Sequence, residues 1–340
     1  MSAEFDQSRS ETKGFSVITT VTERAVVIAV DLGGTHLRGA AVDETAAIHH
    51  RFKLATPRDA DSSALVRAIV SAVSECRRLV ALDLADVRAV AVVVPGNVQD
   101  GSVGRAPNIS GLNGLPLREL LAAKLHLPVT IENDANAAAV GEMWQGAGRG
   151  SRTIVCLTLG TGVGGGIILD GKLWRGHDGS AAEVGHLSVN PFGGVKCPCG
   201  SHGCLEVYAS ATAIVRLTRE RLPAYPQSSL AAAADLTAET IYRAGIAGDG
   251  LALEVFRVMG IYLGAGLASL INIINPEIII IGGGAAAAWE LFAETMHAEV
   301  RNRSFPEPAA QVNIVHAECG DDAGLLGAAH LAWWATQQNR

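Results

Sequence analysis

Two short stretches of this chain are copies of one hairpin, and that constrains its fold more than any other feature. The stretches VIAVDLGGTHLRGAAVD and IVCLTLGTGVGGGIILD lie about 130 residues apart. In the first, the β-branched run 26–30 ends in Asp31, passes through Gly33-Gly34-Thr35, and returns as the apolar run 37–42. In the second, run 154–159 enters Gly160-Thr161-Gly162-Val163-Gly164-Gly165-Gly166, read here as one long turn, and returns over 167–169 to Asp170-Gly171. Strand, glycine turn and returning strand is a unit that cannot bury itself alone. Its duplication implies two related α/β halves, each contributing a glycine turn to the space between them.

The remaining segments alternate in the same way. Helical patterns cover 62–82, 117–125, 135–144, 251–274 and 323–334, and apolar strand runs cover 89–94, 128–131 and 277–281. A Pro/Gly/Asn-rich loop spans 95–114, and 219–240 reads as a surface excursion. The 340 residues, 49% of them apolar, are enough for two domains with their own cores. With 27 Lys and Arg against 34 Asp and Glu, the formal charge is −7, which argues against a nucleic-acid-binding surface. Residues 1–24 are polar, lack the apolar run of a signal peptide and read as a flexible tail. The most apolar region, 261–288, is interrupted by Asn272, Asn275, Pro276 and Glu277. It reads as helix, turn and strand rather than a membrane crossing. Six cysteines, three of them within eight residues, suit a cytoplasmic protein with one metal site better than a disulfide scaffold.

Four groups of residues carry chemistry. Residues 160–165 match the dinucleotide fingerprint G-x-G-x-x-G, but they lead into a strand where that fingerprint requires a helix. A glycine turn in a hairpin can still hold phosphate on bare N–H groups, with the Thr161 hydroxyl beside it; its plain alternative is a tight hairpin. Two such turns facing each other would cradle one polyphosphate from both sides. Asp31 suits a water-mediated Mg²⁺ site next to the first turn, or else a turn aspartate bonded to its own backbone. Glu132-Asn133-Asp134 stands where a strand gives way to a helix. Asp134 can cap that helix, or accept a proton from an attacking sugar hydroxyl. Finally, His186, Cys197, Cys199 and Cys204 offer one imidazole and three thiolates, a donor set for tetrahedral structural Zn²⁺, with His202 a competing fourth ligand on spacing alone.

In order and combination, these motifs resemble the ROK family of bacterial sugar kinases and repressors, in the actin-like ATPase superfamily. The resemblance rests on DLGGT at 31–35, END at 132–134, LGTGVGGG at 159–166, EVGH at 183–186, CPCGSHGCLE at 197–206 and IGGG at 281–284. It implies an α/β fold of two duplicated actin-like, RNase H-like domains flanking a central cleft. The N-terminal domain would cover 25–134 and be completed by the C-terminal helix 323–340. The larger C-terminal domain would cover 135–322, including a zinc-binding loop at 186–204. By position, Asp134 resembles the catalytic base. Asn108, Asn133, Glu183, His186 and Glu206 match sugar-hydroxyl contacts. Gly33, Gly34, Thr35, Thr161 and Gly162 match phosphate contacts, and Gly283 and Gly284 the adenosine side. The zinc ligands would be His186, Cys197, Cys199 and Cys204, which settles the choice between His186 and His202. His36 departs from the Lys or Asn that relatives often carry after GGT.

The expected activity is phosphoryl transfer from Mg·ATP to the 6-hydroxyl of a hexose, glucose first, with N-acetylmannosamine, fructose or allose as alternatives. A family repressor would carry an N-terminal helix-turn-helix domain of about fifty residues, more than the 24 that precede the first strand here. A non-catalytic sugar binder has no use for two phosphate turns and Asp134. The expected partners are sugar and ATP, with no nucleic acid or membrane, in a homodimer or homotetramer.

Overall fold

The computed structural model describes residues 24–57, 61–82, 85–106 and 109–338. The expected tail at 1–24 falls outside the described residues except for Arg24, and Asn108 lies outside them as well. The chain runs β1 (Arg24–Leu32), β2 (His36–Asp43), β3 (Ile48–Ala55), α1 (Ser62–Leu82), β4 (Ala85–Val94) and a small hairpin of β5 (Val98–Gln99) and β6 (Ser102–Val103). It continues with α2 (Leu117–Leu125), β7 (Val129–Asn133), α3 (Asp134–Gln145), β8 (Ile154–Leu159), β9 (Val163–Leu169) and β10 (Lys172–Leu173). After α4 (Glu206–Ala209), α5 (Ala211–Arg221), α6 (Ala238–Ile246) and α7 (Gly250–Ile274) come β11 (Ile278–Gly282), α8 (Trp289–Arg303), α9 (Pro306–Gln311), β12 (Asn313–His316) and α10 (Ala323–Gln338).

The duplication is explicit in the sheets. One has the order β3-β2-β1-β4-β7 and the other β10-β9-β8-β11-β12. In both, the first three strands form antiparallel pairs and the last two add in parallel. The two halves are therefore the α/β domains that the repeat implies.

Each strand of the repeat is buried on both faces. On β1, Val26, Ile28, Val30 and Leu32 face a cluster with α1 and α2, while Val27 and Ala29 face Ala328, Ala329 and Ala332 of α10. In the second sheet, Val155, Leu157 and Leu159 face α7 and α8, and Ile154, Cys156 and Ile168 face Ala139 and Val140 of α3. Helix α7 is long and apolar enough to cross a membrane by composition alone, but its apolar face is spent on this core. It ends where the sequence suggests, at Asn275 in the left-handed conformation.

Helices α3 and α10 lie between the sheets and cross at backbone distance. A Cβ on Gly327 would sit 1.7 Å from the Ala137 carbonyl oxygen, and one on Gly141 would sit 2.1 Å from that of Ala323.

The hairpins needed one correction. Gly164, Gly165 and Gly166 belong to strand β9, paired with Thr158, Leu157 and Cys156, so the turn is only Gly160-Thr161-Gly162. They are glycine because neighbours fill the space of their side chains. A Cβ on Gly165 would lie 2.5 Å from Val184 Cγ2, and one on Gly166 would lie 2.6 Å from Ala139 Cβ. Strands β3 and β10 had no sequence signal; β3 is a largely exposed edge with no clean alternation.

The α3–α10 crossing makes a direct prediction. Gly327→Ala should cost about 1–3 kcal/mol in urea unfolding, because neither backbone can yield without moving its sheet. A cost below a few tenths would contradict the close crossing.

Candidate active site

The strand β7 delivers Glu132 and Asn133 to the cleft, and α3 begins at once with Asp134. The cap of α3 is Asn133 rather than Asp134. Asn133 Oδ1 accepts from the Asn136 N–H at 3.0 Å, while its Nδ2 donates to the Gly96 carbonyl at 3.0 Å. With the cap supplied by its neighbour, Asp134 is left for other work.

Asp134 Oδ1 accepts from the Ala135 N–H at 2.9 Å and from Asn133 Nδ2 at 3.1 Å. The residue opens to solvent through the cleft mouth, yet protein atoms ring its carboxylate on most other sides. Burial pushes its pKa up to about 6, the Asp31 charge adds to this, and the two hydrogen bonds pull the other way. A carboxylate titrating near neutrality is matched to taking a proton from a hydroxyl. It lines a cavity of about 60 Å³ together with Asn97, Asn133, Asn136, Ala182 and Glu183.

Glu183 precedes the Val184–His186 turn and His186 ends it, and the turn sits on the glycine face of β9. His186 Nδ1 points at Cys197 Sγ, 3.7 Å away, while Nε2 lies 3.9 Å from a Glu183 oxygen. One nitrogen thus faces the cysteines and the other Glu183. Donor atoms of His186, Cys197, Cys199 and Cys204 all lie within 4.8 Å of one another. The Cys199–Cys204 sulfur separation is 3.8 Å, too long for a disulfide but equal to the edge of a tetrahedron with metal–sulfur bonds of about 2.3 Å. These four residues can hold zinc. His202 stands outside the quartet, in a bridge with Lys196.

Glu206, at the start of α4, accepts from the Val163 N–H at 3.0 Å, tying the cysteine loop to the second glycine turn. That turn is also pinned by α5, where the Ala211 N–H and Thr212 Oγ1 donate to the carbonyls of Gly160 and Thr161, both at 2.8 Å. The first turn is held by Thr56, whose Oγ1 donates to the Gly33 carbonyl at 2.6 Å and whose N–H reaches that of Thr35. Gly34, Thr35 and Thr161 are exposed, so both turns can meet a ligand. Gly283 sits at the end of β11 with φ +87°, packed against the Leu159 backbone, and Gly284 opens into free space.

Three residues escaped the sequence reading. Arg38 Nη2 bonds Asp31 Oδ2 at 2.5 Å, and the hairpin register Leu32↔Leu37 could have revealed it, since Arg38 falls opposite Asp31. Arg175 bonds Glu132, a contact no local pattern announces. Asn136 is buried with Nδ2 committed to Glu132, and among the described residues its Oδ1 has no partner. A buried acceptor in that position, on a residue lining the cavity, suits a bound water.

Comparison with known proteins places this architecture. The ROK family profile matches residues 27–335. The chain belongs to the ROK family. A glucokinase of Streptomyces coelicolor is 39% identical over 317 residues, covering 90% of this chain and 97% of that protein. A ROK family glucokinase from Streptomyces griseus, solved in complex with glucose and AMPPNP, superposes with a TM-score of 0.77 at 39% identity over 91% of this chain and 99% of that one. A ROK family transcriptional regulator, a homologue of the Escherichia coli MLC protein, superposes with a TM-score of 0.83 at 30% identity. This ROK chain covers 77% of that regulator.

The carboxylate in the cavity makes a pH prediction. A raised pKa means that the proton stays on Asp134 to higher pH, so the ionised carboxylate that could act as a base disappears as pH falls through about 6. The kcat/KM for sugar should therefore drop about tenfold per pH unit on the acid side of that value. A rate still flat down to pH 5 would contradict the assignment.

Proposed function

We infer that this chain is an ATP-dependent hexose kinase that phosphorylates the 6-hydroxyl of glucose. The observation that carries the inference is Asp134, held at the start of α3 in a cavity shared with Glu183 and near enough to Asp31, beside the first glycine turn, to feel its charge. Identities of 39% to glucokinases along nearly the whole chain support the same reading.

In this reaction the sugar lies against Asn133, Glu183, His186 and Glu206, with Asn108 a further contact proposed from the family pattern. Asp134 accepts the O6 proton as O6 forms its bond to the γ-phosphorus. The bond from that phosphorus to the β–γ bridging oxygen breaks, and ADP leaves. Gly33, Gly34 and Thr35 on one side, and Thr161 and Gly162 on the other, give N–H and hydroxyl donors to the phosphates. Gly283 and Gly284 leave room for the adenosine. Mg²⁺, when bound, offsets phosphate charge, and Asp31 is the carboxylate placed to hold its water shell. His186, Cys197, Cys199 and Cys204 would hold a structural Zn²⁺, which would fix the tautomer and direction of His186. Closure of the domains excludes water from the γ-phosphate.

The packing of α10 on β1 and β4, and of α3 on β8 and β9, supports boundaries at 25–134 plus 323–340 for the first domain and 135–322 for the second. Similarity to glucokinases along nearly the whole chain supports a cytoplasmic site of action.

The test is ADP release with glucose, mannose, fructose, allose, N-acetylglucosamine and N-acetylmannosamine. Glucose should give the highest kcat/KM; no hexose-dependent release with any of them would reject the kinase and favour a sugar-responsive regulator. Metal analysis of active protein should find about one zinc per chain. Chelation should weaken sugar binding more than nucleotide binding, and active protein without zinc would remove the structural assignment.

A further inference from the structure

The segment between β10 and the Val184–His186 turn follows the second sheet in sequence, yet it makes its anchoring contacts with the first domain. Arg175 Nε donates to Glu132 Oε2 at 2.7 Å. Glu132, on β7, is only 4% exposed, and its other oxygen already accepts from the Asn133 N–H at 2.9 Å and from Asn136 Nδ2 at 3.0 Å. A carboxylate so enclosed requires a cationic partner, and the guanidinium that reaches it comes across the cleft. Farther along, Gly179 rests on the β5 backbone, where a Cβ would lie 2.1 Å from the Val98 carbonyl oxygen. The Ala181 N–H donates back to the Arg175 carbonyl at 3.2 Å and closes the segment into a loop. Immediately after this closure, Ala182 and Glu183 line the cavity that holds Asp134.

We propose that Arg175 is a positioning residue for the sugar half of the reaction, latching the 174–183 strap to the first domain so that Glu183 and Asp134 face one cavity. The inference rests on the kinase reading and deepens it. Glu132 precedes Asn133 and Asp134 in the chain, and its carboxylate receives the N–H of Asn133. Its ion pair with Arg175 therefore joins the base side of the cavity to the strap that ends in a sugar-facing carboxylate. The nucleotide turns depend on different contacts, from Thr56, Ala211 and Thr212. Loosening the strap should misplace sugar and leave nucleotide binding intact.

The experiment measures kcat and KM for glucose and for ATP in R175A, R175K and the doubly neutral E132Q/R175M. R175A should lose on the order of a hundredfold in kcat/KM for glucose, the scale of a small misplacement of reacting groups. Its KM for ATP should stay within about twofold, since uniform nucleotide binding is untouched. R175K, which keeps the charge without the planar fork, should recover about tenfold of the loss. E132Q/R175M leaves no uncompensated buried charge, so it should fold and repeat the sugar-specific loss. Equal losses for glucose and ATP, R175K no better than R175A, or unchanged sugar kinetics in R175A and the double variant would each overturn the proposal. Wild-type protein without hexose-dependent ADP release would remove the kinase reading and this inference together. An active wild type with unaffected variants would remove only the role of Arg175.

Discussion

Everything in the cleft is referenced to the place where α3 and α10 touch backbone to backbone. Gly141 and Gly327 leave no side chain between the helices, and small residues (Ala29, Ala91, Ala328, Ala329) let α10 settle on the first sheet. The same α3 lies on β8 and β9 through Ala139 and on glycines that open their side-chain space to it. Close-packed interiors transmit displacement rather than absorb it. The N-terminus of α3 is therefore fixed relative to both sheets, and with it Asn133 and Asp134.

The cleft uses this rigidity to separate two adjacent carboxylates. Glu132 is enclosed but has a partner for each oxygen, among them the Arg175 guanidinium. Burial raises the pKa of Asp134 and the charge of Asp31 adds to this, outweighing the hydrogen bonds that it accepts from Ala135 and Asn133. Divergent environments for neighbouring acids mark which one moves protons. Glu132 is committed to an ion pair, and Asp134 is the one whose pKa is raised, as the proposed base requires. Asp31, the acid whose charge reaches Asp134, is itself paired with the Arg38 guanidinium beside the first glycine turn.

The sequence was informative where signals are local. Duplicated hairpins, the helices at 62–82 and 117–125, and the three clustered cysteines each declare themselves within a few residues. It was weaker where one residue type serves two purposes. A glycine in a turn and a glycine under a helix read alike, so the pattern alone extends the turn over Gly164, Gly165 and Gly166 although they lie in β9. Asn133 and Asp134 are both good caps, and only the fold shows which one accepts the N–H. Edge strand β3 has too little burial to impose alternation. Arg175 and Asn136 gain meaning only from partners that the topology brings to them.

The central claim is that one side chain takes the sugar proton, and Asp134→Asn tests it most directly because it keeps the shape of the cavity while removing the base. Calorimetry with glucose should show binding within a few-fold of wild type, while steady-state ADP release falls by roughly 10²–10⁴. Turnover close to wild type in that variant would contradict the account.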